Sequence, residues 1–191
     1  MKNILVLFSG GADSALLLYM ARVSAGQNTG DNGWVGVVSF SYGQVHSREL
    51  AVARDFLDKH RNLWNADFHQ EIDTSGVTSP LLKGRDCKPR SGVHEKHVPA
   101  RNLMFIAHAA AIAESQGYDE IWYGADYSDR ENLFPDCYQE WVVKMNQVLA
   151  INGSRPIKLV APLLGMSKEE VLVALENCGV RREEIFSGYV Q

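Results

Sequence analysis

The chain is poor in cysteine, in proline and in any excess of basic charge. Three cysteines stand among 191 residues, at Cys87, Cys137 and Cys178, and no two form a CxxC pair. That spacing excludes a disulfide framework and a self-contained four-thiolate zinc site, and it suits reduced thiols in a cytoplasmic protein. Six prolines and no low-complexity stretch leave nothing collagen-like or linker-like. No apolar run approaches the roughly 20 residues of a membrane helix, and Ile4-Leu5-Val6-Leu7-Phe8 is too short for a signal-peptide core. Nineteen Lys and Arg against 23 Asp and Glu give a formal charge of −4, which does not advertise nucleic acid. What is present is an ordinary globular composition, 46% hydrophobic and 22% charged, in a chain long enough for one well-buried domain spanning 1–191.

Short branched runs alternate with helical periodicities. Ile4 to Phe8, Trp34 to Phe40, Ala66 to Ile72, Glu120 to Gly124 and Lys158 to Val160 read as strands, the first two fully buried. Ser14 to Ala25, Ser47 to His60, Ala100 to Gln116, Pro135 to Ile151 and Ser167 to Asn177 read as helices. The last carries a capping box, Ser167 with Glu170, and a terminating Gly179. Asp126 to Asn132 reads as a polar loop, and Thr74 to His97 as a long loop able to act as a lid. Alternation of this kind implies βαβ units and a doubly wound parallel α/β sheet. Its ligand site is then expected beyond the strand C-termini.

The motifs fall at that edge. Ser9-Gly10-Gly11-Ala12-Asp13-Ser14 follows a strand and opens a helix. Paired glycines allow a tight turn that aims N–H groups at an anion, the helix terminus adds partial positive charge, and Ser9 and Ser14 add hydroxyls. The loop lacks a Walker A lysine and GxGxxG spacing. It resembles the SGGxDS loop of the PP-loop (N-type) ATP pyrophosphatases. The resemblance implies an adenine nucleotide alpha hydrolase-like (Rossmann-like) fold, a loop that binds the pyrophosphate portion of ATP, and cleavage of ATP to AMP and pyrophosphate.

Further segments narrow this. Phe40-Ser41-Tyr42-Gly43-Gln44-Val45-His46-Ser47-Arg48-Glu49 resembles the FxYGQxHxxE signature of the 7-cyano-7-deazaguanine synthase family. Val98-Pro99-Ala100-Arg101-Asn102 through Phe105 is similar to its VPxRNxxF. Gly124-Ala125-Asp126, followed by Phe134-Pro135-Asp136-Cys137, resembles its YPDCRxEF region, with Phe134 in place of Tyr and Tyr138 in place of Arg. Ala161-Pro162-Leu163 with Lys168 is similar to its TPLxxxxKxE. The likeness runs from residue 3 to about 189.

The resemblance implies an ATP-dependent C–N ligase that converts 7-carboxy-7-deazaguanine and ammonia to 7-cyano-7-deazaguanine through adenylated intermediates. ATP contacts are expected from Ser9, Gly10, Gly11, Asp13, Ser14, Arg101, Asn102 and Lys168. Substrate contacts are expected from Tyr42, Gln44, His46, Gly124, Asp126, Phe134 and Asp136, with Tyr42 and Phe134 stacking on the deazapurine. Lys168 and Mg²⁺, with Asp13 as a contact to metal or ribose, are expected to stabilise phosphate charge. His46 or Glu49 is expected to serve as base for ammonium. Trp34, Trp122, Tyr123 and Trp141 read as core. The family closes with a zinc knuckle, but Gly188 stands at its first ligand position and no residues follow for the others, so no structural zinc is expected. Four outcomes stay open: a complete enzyme braced by packing or a homodimer, one that stops at the amide, a deazapurine-binding protein without turnover, and a tRNA-thiolating relative that would need a reactive cysteine near the loop.

Overall fold

The computed structural model describes residues 2–26, 33–42, 48–61, 68–74, 98–131 and 134–185; the side chains of Arg48, Glu49 and Arg130 fall outside that set. Its strands are β1 (Ile4–Leu7), β2 (Val35–Ser41), β3 (His69–Asp73), β4 (Glu120–Trp122) and β5 (Lys158–Val160). All pair in parallel, in the order β3-β2-β1-β4-β5. The helices are α1 (Ala12–Ser24), α2 (Arg48–Lys59), α3 (Arg101–Gln116), α4 (Tyr127–Glu131), α5 (Gln139–Asn152) and α6 (Lys168–Asn177).

Strand alternation sorts the core into two layers. Ile4, Val6 and Phe8 join α1, α2 and α6 on one face, while Leu5, Val38 and Ile121 join α3 and α5 on the other. β1 is covered on both sides, which explains its unbroken apolar run. β3 lies at an edge with mixed exposure, so its sequence signal is weaker. The chain winds from β1 toward β3, then returns to the other side of β1 at β4. The crevice between β1 and β4 is therefore the switch point where open α/β sheets bind ligands.

Three readings change. The loop expected at Asp126 to Asn132 contains α4, because the Asp126 carboxylate accepts the Asp129 N–H at 2.9 Å as a helix cap. The helix expected from Pro135 is interrupted. A 3₁₀ turn, Pro135–Cys137, is followed by extended Tyr138 (φ −103°, ψ 142°) before α5 starts. Trp34 is 41% exposed and is not core. Of the long loop 74–97, everything from 75 onward lies outside the described residues. No helix among the described residues is long and apolar enough to cross a membrane.

The expected capping box of α6 forms in both directions. Its far end closes with Gly179 at φ +82° and Val180 N–H bonded to Leu175 O at 3.1 Å. Beyond it, a 3₁₀ turn (Arg182–Glu184) is clasped onto α2. Glu184 takes Lys59, Arg181 at 2.7 Å and His60 at 3.2 Å, and His60 shares a hydrogen bond with the Tyr19 hydroxyl at 3.2 Å. Lys59 and Arg181 hold the Glu184 carboxyl down at about 2. A depressed carboxylate adds stability above its unfolded pKa and loses it as pH falls through the folded value. Glu184→Gln should therefore destabilise by about 1 kcal/mol at pH 7. That difference should close between roughly pH 4 and pH 2 in thermal melts.

Candidate active site

At the switch point the chain leaves β1 through Ser9 and turns at Gly10, whose φ of +83° only glycine adopts without strain. A Cβ on Gly10 would stand 3.0 Å from the backbone nitrogen of Ala53 in α2. The loop is braced from within. The Ser14 hydroxyl donates to Gly11 O at 2.9 Å and accepts the Ser9 N–H at 3.2 Å. In this arrangement its proton is directed to the loop, so Ser14 braces the turn from within. Gly11 caps α1 without a side-chain bond. The first N–H groups of a helix lack intrahelical partners, so the α1 terminus is left able to receive an anion.

β4 delivers the opposite wall. Gly124 follows it and sits against the loop, where an added Cβ would meet Asp13 Cβ at 3.0 Å. A cavity of about 420 Å³ opens between the two, lined in part by Ser9, Gly11, Asp13, Ser14, Gly124 and Asp129. The start of α3 contributes Arg101 and Asn102, and the 3₁₀ turn after α4 contributes Phe134, Asp136 and Cys137. The Arg101 guanidinium lies 5.6 Å above the Tyr42 ring. The Asn102 amide donates to the Asp136 carboxylate, and the Tyr123 hydroxyl donates to Asp136 O at 2.7 Å. Phe40 and Phe105 stack at 4.2 Å beneath Tyr42, forming an aromatic flank. Ala100, just ahead of α3, has φ of +60°, a left-handed conformation that costs a non-glycine residue roughly 1 kcal/mol or more.

Lys168 arrives from the first turn of α6. Its ammonium pairs with the Asp13 carboxylate and stands 3.7 Å from Asp126 Oδ2. Its backbone N–H is fixed by Ser128 Oγ at 3.0 Å. Burial alone would lower this lysine, but the carboxylates of Asp13, Asp126 and Asp129 outweigh it and hold it above its ordinary value. Burial pushes the Asp13 carboxyl up; Lys168 pulls it down without cancelling that, and Asp126 adds to the rise. Asp13 Oδ1 is buried and has no hydrogen-bond partner among the described residues.

The expected residues divide accordingly. Ser9, Gly11, Asp13, Ser14, Tyr42, Arg101, Asn102, Gly124, Phe134 and Asp136 share the cavity wall. Gly10 does not line it; it shapes the turn. Asp126, expected at the substrate, is 1% exposed, caps α4 and approaches Lys168. Gln44 and His46 lie outside the described residues, as does the side chain of Glu49. Residues 187–191, with the Gly188 position, are likewise outside them, so the zinc expectation rests on sequence alone. Asp129, Cys137 and Tyr123 were not anticipated as wall residues. The Asp126-x-x-Asp129 spacing was a readable cap signal for the first of them.

This sheet order, with a glycine-turned SGGxDS loop at the β1 to β4 switch point, defines a PP-loop ATP pyrophosphatase fold. Solved structures agree at the level of fold. The chain aligns with the U34-tRNA thiolase NcsA from Methanococcus maripaludis (TM-score 0.61, 15% identity, 100% of this chain and 61% of that one). It also aligns with NAD+ synthetase from Burkholderia pseudomallei (TM-score 0.54, 15% identity, 98% and 63%), so it spans about three fifths of each. The family described as queuosine biosynthesis protein QueC matches residues 3–191, and the chain belongs to that family. It is 29% identical to the 7-cyano-7-deazaguanine synthase of Marinobacter nauticus, over 98% of this chain and 83% of the relative. With the synthase of Pseudoalteromonas atlantica it shares 32% identity, over 94% and 80%.

Proposed function

We propose that this protein uses ATP to join 7-carboxy-7-deazaguanine with ammonia, forming 7-cyano-7-deazaguanine by way of the amide. The observation that carries the reading is a single cavity walled at one end by the SGGADS loop and at the other by aromatic and carboxylate side chains.

A carboxylate is a poor electrophile because its oxygen leaves badly. Attack of that oxygen on the α-phosphate of ATP gives an acyl-adenylate and pyrophosphate. Ammonia then displaces AMP to give the amide. A second adenylation, on the amide oxygen, lets AMP depart as the nitrile forms. Charge gathers on phosphates in each transfer. The loop N–H groups and Lys168 are set to hold it. Mg²⁺ would neutralise phosphate charge and align the triphosphate. Among the described residues no group of three or more His, Cys, Asp or Glu could hold a metal unaided. The orphaned Asp13 Oδ1 suits an ion carried mainly by the nucleotide and held to the protein by one carboxylate.

Tyr42 and Phe134 are the residues for stacking on the deazapurine, with Asp136 and Asn102 at its polar edge. Phe134→Ala should raise the KM for 7-carboxy-7-deazaguanine about tenfold, the scale of a lost base-stacking contact, and leave the KM for ATP nearly unchanged. Of the three cysteines, Cys87 lies outside the described residues, and the other two lend thiolation no support. Burial pushes the thiols of Cys137 and Cys178 upward, so neither supplies a thiolate at neutral pH.

The deciding assay is AMP release from ATP that depends on both 7-carboxy-7-deazaguanine and ammonium, with mass spectrometry separating amide from nitrile. AMP no higher than background removes the enzyme reading.

A further inference from the structure

The reaction proposed above consumes ammonia, which at neutral pH is mostly ammonium and has no lone pair to offer. A base in the cavity wall would free that lone pair; His46 and the Glu49 side chain lie outside the described residues, and a described carboxylate able to serve is one not engaged elsewhere. Three of the four nearby aspartates fail that requirement. Asp13 is paired with Lys168. Asp126 does not line the cavity; it is buried and caps α4. Asp136 is bound by the Asn102 amide. Asp129 lines the cavity, and among the described residues its hydrogen bonds are made by its backbone alone.

Resting on that functional reading, we propose that Asp129 is the general base that takes a proton from ammonium at this site. Its mount is firm. The backbone N–H is bonded to Asp126 Oδ1 at 2.9 Å, and its carbonyl accepts the Phe134 N–H at 3.2 Å. The second bond ties the base to the residue proposed to stack on the substrate ring. Among the described residues the charged groups that act on it are Asp126, Asp13 and Asp136, opposed by Lys168. Burial and the three like charges push its carboxyl up to about 6, against the pull of Lys168. A base near the working pH is ionised yet basic enough to take a proton.

The step balances. Asp129 carboxylate takes H⁺ from NH4⁺, leaving NH3 and a neutral carboxyl. The nitrogen lone pair forms the C–N bond at the acyl-adenylate carbon. The C–O bond to AMP breaks and AMP leaves with its electron pair. The adduct nitrogen and the Asp129 carboxyl each return one proton to solvent.

The test uses Asp129→Asn in the full chain with two nucleophiles. Hydroxylamine is largely unprotonated at neutral pH and needs no base. With ammonium, acyl transfer should fall about 100-fold. With hydroxylamine, hydroxamate formation should stay close to the wild-type rate, as should ATP–pyrophosphate exchange dependent on 7-carboxy-7-deazaguanine. An equal loss with both nucleophiles, a parallel loss of exchange, or no loss at all overturns the assignment. So does the nucleophile-selective loss appearing in His46→Gln or Glu49→Gln and not in Asp129→Asn.

The wild type gives a measurement independent of how the variant folds. At fixed total ammonium, amide formation should rise with an apparent pKa of about 6 and level off above it. A rate that climbs tenfold per pH unit through pH 8 means that free ammonia reacts unaided, and the proposal fails. Wild-type protein showing no substrate-dependent exchange removes the functional reading and this assignment together; exchange without the pH plateau removes the assignment alone.

Discussion

Lys168→Met should lower substrate-dependent AMP release by on the order of 10²–10³-fold, the range for removing one preorganised charge donor from a transition state. Among the described residues Lys168 is the cation that meets both Asp13 and Asp126, so the methionine leaves the two carboxylates beside the proposed phosphate site unbalanced. Breaking a fully buried pair costs about 3–5 kcal/mol. Lys168 is 35% exposed, and solvent screening brings the expected cost down to about 1–2 kcal/mol. The pH dependence has a definite sign. Asp13 already has a folded pKa above its unfolded one, so its charge opposes folding at neutral pH and the penalty fades as pH falls into the range between the two values. Losing Lys168 raises the folded value further. The gap in melting temperature between wild type and variant should be wide at pH 8 and narrower at pH 5, and an equal gap at both would show that Lys168 is not the counter-charge. Lys168→Arg keeps the charge, so it should retain the stability while losing turnover through its longer, planar head.

The fold was legible because its signals are local and repeated. β1 announces burial on both faces by an unbroken apolar run, and the Ser167 to Glu170 box marks the start of α6 to the residue. The turn of the loop at Ser9 to Ser14 was legible for the same reason: glycine and helix terminus are adjacent in the chain. What stayed hidden depends on partners far apart in sequence. Asp13 and Lys168 are 155 residues apart, and nothing local says that they pair. Asn102 reads from sequence as a lone amide at a helix start, and only the 3₁₀ turn, 34 residues on, brings Asp136 against it. Ser14 offers a hydroxyl on paper, but the tight turn at Gly10 bends Gly11 O onto it. Tyr123 carries the apolar signature of a strand end. Its hydroxyl nonetheless reaches the cavity side, because Asp136 O lies there to accept it. Asp129 was read as loop, since α4 has only five residues, too short for a periodicity to register.

The two glycines of the loop should separate stability from chemistry. Gly10→Ala must place a Cβ at φ +83° and 3.0 Å from the Ala53 nitrogen, with the Ala53 Cα at 3.1 Å. The obstacle is helix backbone, which cannot swing aside as a side-chain tip can. Left-handed strain of about 1–2 kcal/mol and the clash together should cost about 2–4 kcal/mol. For a chain of this length that is a drop of roughly 5–15 °C in melting temperature. Gly11 differs, with φ of −81° and ψ of 167°, a conformation open to any residue. Gly11→Ala loses only the preference for glycine over alanine at a helix cap, up to about 1 kcal/mol. Gly11 lines the cavity, however, and its new methyl group would stand where the phosphates must approach the backbone. Turnover should fall about 10–100-fold, the scale expected when reacting groups are displaced by an ångström. Gly10→Ala should therefore melt early yet keep a larger share of wild-type activity at low temperature, and Gly11→Ala should melt normally and turn over poorly. If the order reverses in either measurement, the loop does not present its anion-binding face through Gly11, and the phosphate end of the site has been assigned to the wrong side of the turn.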